Sequence, residues 1–351
     1  MIWFDLVTPK SVLFFNSIIK TMQSKNIEVF ITTRGGDGYK ETIELLNLYN
    51  LSYTNIGNFG GSSLKSKFEA SIDRQVKFIE FIGHHNIEKL VCLSSVDACR
   101  VAFGLGIPII NFYDIPLSDY TTNFTKALPQ ARLTIPLATK MFKPFVVPNE
   151  VIKRFGLDES QINEYNFIDP LIWLKDFKYN INYVKKILKK YNIDYSKPSI
   201  VIREEEYKSC YVNKQYPIIY ETMKEIKDLT NSNIIIIPRY ESDYLKKEFP
   251  FSIVLEEKVK IQHLLAFCDL FIGGGGTINT EACFLGTPTI STRSFISHYD
   301  KWQIDNNLMV WVNNKKALIE KSVLMIGSKV DNTPINKMKI NLDIIVKSIL
   351  S

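Results

Sequence analysis

The feature that most constrains this chain is an alternation of two periodicities, and it occurs twice. Short β-branched and apolar runs are separated by stretches of ten or more residues with helical spacing. Strands predicted at Ile2–Val7, Glu28–Thr33, Ser52–Ile56, Lys89–Leu93, Pro108–Phe112 and Arg132–Pro136 alternate with helices from Pro9 to about Lys25, over Tyr39–Asn50 and over Ser62–Gly83. The pattern resumes with strands expected at Ser199–Ile202, Asn233–Ile237, Ser252–Leu255, Leu270–Ile272, Thr289–Ser291 and Met309–Val312. A helix between two strands carries the chain back, so such strands lie parallel in one sheet. The stretch from Phe142 to Asn182, with Pro144, Pro148 and Pro170 and no sustained period, reads as an interdomain connection.

The expected architecture is therefore α/β, with two Rossmann-like domains. We place an N-terminal domain at 1–165, a second domain at 166–333, and a C-terminal helix over 334–351 that packs back on the first. An internal likeness supports two related halves. Ala102-Phe-Gly-Leu-Gly106-Ile-Pro108 matches Ala282-Cys-Phe-Leu-Gly286-Thr-Pro288 at an offset of 180 residues, and Ser94-Ser95 falls on Gly274-Gly275.

Composition excludes several classes. The 351 residues are 46% apolar with a net charge of +6, and no block of five like charges suggests a nucleic-acid arm. No apolar run approaches a membrane span. Five scattered cysteines, four histidines and the absence of a metal spacing predict no metal site and a cytoplasmic protein with reduced thiols, with a peripheral position at the inner membrane face left open.

The sharpest motif is Gly273-Gly274-Gly275-Gly276-Thr277-Ile-Asn-Thr-Glu281, a glycine turn between a strand and a helix. Such a turn lets a ligand approach the backbone, and the helix N-terminus favours phosphate. Thr277 can cap the helix or bond a phosphate oxygen, and Glu281, one turn along, can accept from a ribose diol. Neither a P-loop nor the dinucleotide fingerprint is present, so no nicotinamide, flavin or other cofactor is expected. Only eight of the 43 basic residues are Arg. Arg203 and Arg239 each close a predicted strand, on the side where α/β sheets bind ligands, and both suit a diphosphate. In the first half, Asp5 and Asp114 close strands and are candidate acid/base groups, and Lys10 and Ser11 follow the first strand. Asp97 reads as a helix cap and His298 as a solvated loop residue.

These residues resemble the nucleotide-sugar site of GT-B enzymes. Leu264–Pro288 is similar to the lipid-linked GlcNAc transferases and the non-hydrolysing UDP-GlcNAc 2-epimerases. The whole chain, through Trp3-Phe-Asp5-Leu-Val-Thr-Pro-Lys10, Ile31-Thr-Thr-Arg34, Val101–Pro108, Val201-Ile-Arg203 and Ile237-Pro-Arg239, resembles an uncharacterised, largely archaeal family beside those two. The resemblance implies two domains facing across a cleft and a donor held by the second. Gly274, Gly275, Gly276 and Thr277 would hold the diphosphate, Glu281 the ribose, and the backbone near Val259 the base. The epimerases carry a His-x-Glu-Ala-Gly stretch where this chain reads Ile110-Asn-Phe-Tyr-Asp114, which weighs against epimerisation. The expectation is a metal-independent glycosyltransferase using a nucleotide-diphosphate sugar, with UDP-sugar first, and Asp5 or Asp114 as the base. An epimerase-like isomerase and a non-catalytic sugar-nucleotide binder stay open. Acceptor and oligomeric state are not set by these residues.

Overall fold

A computed structural model describes residues 1–36, 40–61, 63–204, 218–239, 242–257 and 259–351. Tyr39 and Ser62, which open two of the expected helices, and Cys210 lie outside the described residues. The chain forms two units, Met1–Lys175 with Lys339–Ser351, and Asp176–Met338. The chain thus passes from one to the other after Lys175 and returns after Met338, later in both cases than the expected 165 and 333.

The first unit is a seven-stranded sheet of β1 (Ile2–Asp5), β2 (Val29–Gly35), β3 (Thr54–Asn58), β4 (Lys89–Cys92), β5 (Ile109–Phe112), β6 (Lys140–Pro144) and β7 (Ile162–Tyr165). The order is β3-β2-β1-β4-β5-β6-β7, every pair parallel. The crossover helices include α1 (Pro9–Ser24), α2 (Glu41–Leu48), α3 (Leu64–Ile82) and α4 (Val96–Gly104). Pro9 opens α1 and Thr8 caps it. Trp3, Leu90 and Ile109 of the sheet bury against Phe78 of α3 and Ala98 and Cys99 of α4.

Two expectations fail here. Arg132–Pro136 is not a strand but the end of the helix Pro129–Thr134 and a following 3-10 turn. Pro129 supplies the first helical position, and its fixed φ overrides the β-branched run behind it. Conversely, β6 and β7 lie in the stretch read as a connection. Lys143 in β6 is 1% exposed because its ammonium meets Glu164 on the neighbouring β7. A lysine that is buried only because an exposed glutamate on the next strand meets its ammonium gives no apolar signal when its strand is read alone.

The C-terminal helix Leu342–Leu350 packs on α1, with Lys25 Nζ 2.9 Å from Asp343. Lys89 and Lys140 donate to carbonyls in its last turn, where the helix dipole favours cations. The helix begins at Leu342. Thr333–Asn336, inside the span expected for it, is a separate short helix of the second unit.

The second unit holds β8 (Ser199–Arg203), β9 (Asn233–Ile236), β10 (Ile253–Val254), β11 (Leu270–Gly273), β12 (Thr289–Ser291) and β13 (Val310–Trp311), parallel in the order β10-β9-β8-β11-β12-β13. Residues alternate between two cores. Ile200, Ile202, Ile234, Ile236, Leu270 and Ile272 face Met223 and Leu318, whereas Val201, Ile235 and Phe271 face Leu188, Leu264 and Leu265. The strands are hydrophobic throughout because both faces are covered.

Counted from its own start, each unit contains the strand order 3-2-1-4-5-6, that of doubly wound nucleotide-binding sheets, and the first adds a seventh strand at its edge. β4 with α4, and β11 with the helix Gly276–Phe284, are therefore equivalent fourth-strand units. Gly106 (φ 70°) and Gly286 (φ 75°) close those helices in the same left-handed conformation.

Candidate functional site

In such sheets the ligand crevice opens where the order reverses, beside the first and fourth strands. In the second unit those strands are β8 and β11, and Arg203 pairs in register with Gly273. The Gly274 amide donates to the Arg203 carbonyl at 3.0 Å, and the Thr292 amide to Gly273 at 3.0 Å. Gly275 then stands at the N-cap of the helix Gly276–Phe284 and offers no capping side chain. That end is chemically open to an anion.

The glycines serve different ends. None of Gly273 to Gly276 has a positive φ, so close approach, not backbone handedness, explains them. A Cβ on Gly273 would stand 2.3 Å from Asn279 Oδ1 and 2.5 Å from the Phe271 ring, so this glycine permits helix–sheet packing. A Cβ on Gly275 would meet only Ile278 at 3.3 Å. One on Gly276 would stand 2.9 Å from Arg293 Nη1.

Arg293 is the residue that sequence reasoning missed. It follows β12, is 3% exposed, and donates from Nη1 to Asp300 Oδ2 at 2.8 Å and to Ser297 Oγ at 3.4 Å. Its guanidinium lies over the Phe295 ring at 4.1 Å. Trp311 Nε1 donates to its carbonyl at 2.9 Å, pinning its backbone. The signal was present, since Thr289-Ile-Ser-Thr-Arg293 is a strand followed by an arginine, as at Arg203 and Arg239.

The other expected donor residues fall as follows. Thr277 is half-buried in the first helical turn. Glu281 is 3% exposed and accepts from Gln262 Nε2 at 3.1 Å. Arg203 is half-buried and donates to the Pro238 carbonyl at 3.1 Å, which places it beside Arg239 in the chain after β9. Val259 packs partly buried against the Leu264 side of the core, and the next amide, Lys260, donates to Tyr183 Oη at 2.8 Å. His298 is not a solvated loop residue. It is 6% exposed at the start of the helix His298–Asp305, behind the Ser297 cap.

The equivalent position of the first unit, where β1 meets β4, is filled by an ion pair. Asp5 is fully buried, and Arg74 of α3 grips it with Nη2 at 2.7 Å from Oδ1 and Nη1 at 3.1 Å from Oδ2. Thr32 donates to Asp5 Oδ1 at 2.6 Å, itself accepting from Trp3 Nε1, and Ser95 donates to Oδ2. Asp97 is not a helix cap but the second carboxylate on Arg74, at 3.4 Å, with Arg34 at 3.9 Å. Burial opposes the Arg74 charge, and Asp5 and Asp97 more than offset it, raising its pKa. Gly57 (φ +78°) clears the way, because a Cβ there would come within 2.9 Å of Arg74 Cγ. Both oxygens of Asp5 are thus engaged in the interior. This corrects the expectation that Asp5 is a base, since an acceptor hydroxyl cannot reach it.

Asp114 and Lys10, named separately from sequence, come together. Lys10 Nζ lies 2.5 Å from Asp114 and 2.6 Å from Asp169, which was hidden in the misread connection. Tyr165 donates to Asp169 Oδ1 at 2.8 Å. Burial, more than the opposing Lys10 charge, and then the Asp169 charge hold the Asp114 carboxyl above its usual range. Burial lowers the Lys10 ammonium, but the two carboxylates overcome it and its pKa is raised. Ser11 is 1% exposed and spent in the reciprocal cap with Thr8, so it is not placed to hold a substrate.

Among the described residues no group of three or more His, Cys, Asp or Glu side chains could hold a metal ion, and no helix is long and apolar enough to cross a membrane.

A family described as "Protein of unknown function (DUF354)" matches residues 1–351. The chain belongs to this family. The uncharacterized protein MJ0665 of Methanocaldococcus jannaschii is 29% identical over 329 residues, covering 91% of this chain and 89% of that protein. A crystal structure of Methanocaldococcus jannaschii UDP-GlcNAc 2-epimerase in complex with UDP-GlcNAc and UDP matches with a TM-score of 0.72 at 16% identity, covering 93% of each chain. The glycotransferase of kitacinnamycin matches with a TM-score of 0.60 at 12% identity, over 99% of this chain and 94% of that one. At such identities the likeness is one of fold. The DUF354 chain has two parallel-sheet α/β units of the kind found in GT-B-like epimerases and glycosyltransferases.

Proposed function

We propose that this DUF354 protein is a metal-independent glycosyltransferase that takes its sugar from a nucleoside-diphosphate sugar, most naturally a UDP-sugar. The observation that carries the reading is the buried Arg293 guanidinium against Gly276, at an uncapped helix N-terminus. Two negative charges at one point suit that arrangement, and a glycosyl leaving group is a diphosphate. Arg293, the helix terminus and Arg203 would stabilise the charge that develops as the glycosidic bond breaks. Glu281 would take the ribose hydroxyls, held in place by Gln262. Asp114, whose carboxyl pKa burial raises above its usual range, is the group suited to accept the acceptor's proton.

Calorimetric titration with UDP, GDP and CMP tests the donor site. Binding of a nucleoside diphosphate supports the reading, and binding of none overturns it. NMR of UDP-GlcNAc incubated with the protein alone then separates activities. A new anomeric signal from a 2-epimer would assign an isomerase, and an unchanged spectrum until an acceptor is added supports transfer.

A further inference from the structure

On α3, the residues facing the sheet are Arg74, Phe78 and Ile82, all buried. The opposite expectation for a surface helix is a polar outer face. Instead Leu64, Phe68, Ile72, Val76 and Ile79 recur every three or four residues and are 48% to 80% exposed. At about 100° per residue they form one stripe along the whole helix. Helix α4, which packs beside α3, ends with Phe103 and, just after it, Leu105 exposed at 56% and 49%. Large apolar side chains exposed in a continuous row are the kind of surface that marks an interaction site.

We propose that this stripe is a twofold interface between two copies of the chain, the α3 helices crossing antiparallel at Ile72. The residue pattern is self-complementary about that point. A twofold axis there sets Ile72 against Ile72 of a second copy, Phe68 against Val76 and Leu64 against Ile79. The charges fit the same operation. Lys65 stands seven residues before Ile72 and Glu80 eight residues after it, both on the same flank of the stripe. At about 1.5 Å per residue they lie roughly 10 and 12 Å from the axis, so each Lys65 meets a Glu80 across the interface. Helices that lie on a lipid surface carry a basic polar face. Here Glu69, Asp73 and Glu80 border the stripe, which favours protein over membrane.

Sedimentation velocity of the full chain, with an Ile72→Asp variant, tests this. A wild-type dimer whose dissociation constant rises at least roughly a hundredfold in the variant is the expected result, because a carboxylate on the axis meets its own copy. Ile72 is exposed, so the variant's far-UV circular dichroism should match wild type, while its thermal unfolding should lose the concentration dependence that a dimer has. Lys65→Glu should weaken the dimer and Lys65→Glu with Glu80→Lys should restore it. A wild-type monomer at all concentrations, a dimer indifferent to Ile72→Asp, or Ile72-dependent flotation with phosphatidylglycerol vesicles in place of dimerisation would overturn the proposal.

Discussion

The Arg293 guanidinium occupies the space into which a side chain at Gly276 would grow. A Cβ there would stand 2.9 Å from Nη1, 3.2 Å from Cζ and 3.4 Å from Nη2. The helix start and the arginine are therefore one unit, and neither can change alone.

Gly276→Ala should push Arg293 from its bond with Asp300 and weaken nucleoside-diphosphate affinity tenfold or more, about 1.4 kcal/mol. Calorimetry with UDP reads the loss. Gly275→Ala, whose Cβ would meet only the Ile278 Cγ2 methyl at 3.3 Å, should cost clearly less. Equal effects of the two would show that the glycines act only through backbone geometry.

Glu281→Ala should weaken UDP binding by the 1 kcal/mol or more of a lost hydrogen bond, and leave pyrophosphate binding unchanged. Gln262→Ala, which removes the donor that orients Glu281, should have a smaller effect in the same direction. Unchanged UDP affinity in Glu281→Ala would refute the ribose role.

Because Asp114 must be ionised to accept a proton, and its pKa is raised, the rate should begin to fall at a higher pH than the usual carboxylate value near about 3.9. The Asp169 charge contributes to that shift. Asp169→Asn should therefore move the acid limb of the pH–rate profile downward, and Asp114→Asn should remove it with most of the rate. A limb unmoved by Asp169→Asn would place the base elsewhere.

Lys10 gains two carboxylate partners on folding, so its folded pKa exceeds its ordinary 10.5. A raised lysine binds its proton more tightly when folded. Its stabilisation is whole below 10.5 and is lost as pH rises through the folded value. The stability difference between wild type and Lys10→Met, from urea unfolding, should be constant near neutrality and shrink above pH 10.5.

Arg74→Met should destabilise the first unit by about 3–5 kcal/mol, because it leaves two buried carboxylates facing each other. Adding Asp5→Asn should recover part of that loss, as chemical denaturation would show. A neutral effect of Arg74→Met would mean that the buried pair is dispensable.

Much of the fold was legible because it rests on local signals. Strands buried on both faces read as apolar runs, and Gly106 and Gly286 announced helix ends by a conformation that suits glycine. β6 was not legible, because Lys143 is buried only by pairing with Glu164 across strands, and β7 was not, because Tyr165 is its only buried residue. The donor turn was found from its glycines, but the partner that explains Gly276 sits seventeen residues on and is brought back by β12.

The sequence alone determined two parallel α/β units, the glycine turn at the fourth strand of the second, and the wealth of acidic and basic groups at strand ends. Tertiary structure decided which of those groups are chemistry and which are scaffold. Asp5 and Arg203 close equivalent first strands. Arg74, from a helix sixty-nine residues away, fills the switch point beside Asp5 and buries its charge, whereas the glycines beside Arg203 bring no side chain of their own to theirs. Whether a carboxylate can meet a substrate depends on what else reaches it, and only the packed helices fix that.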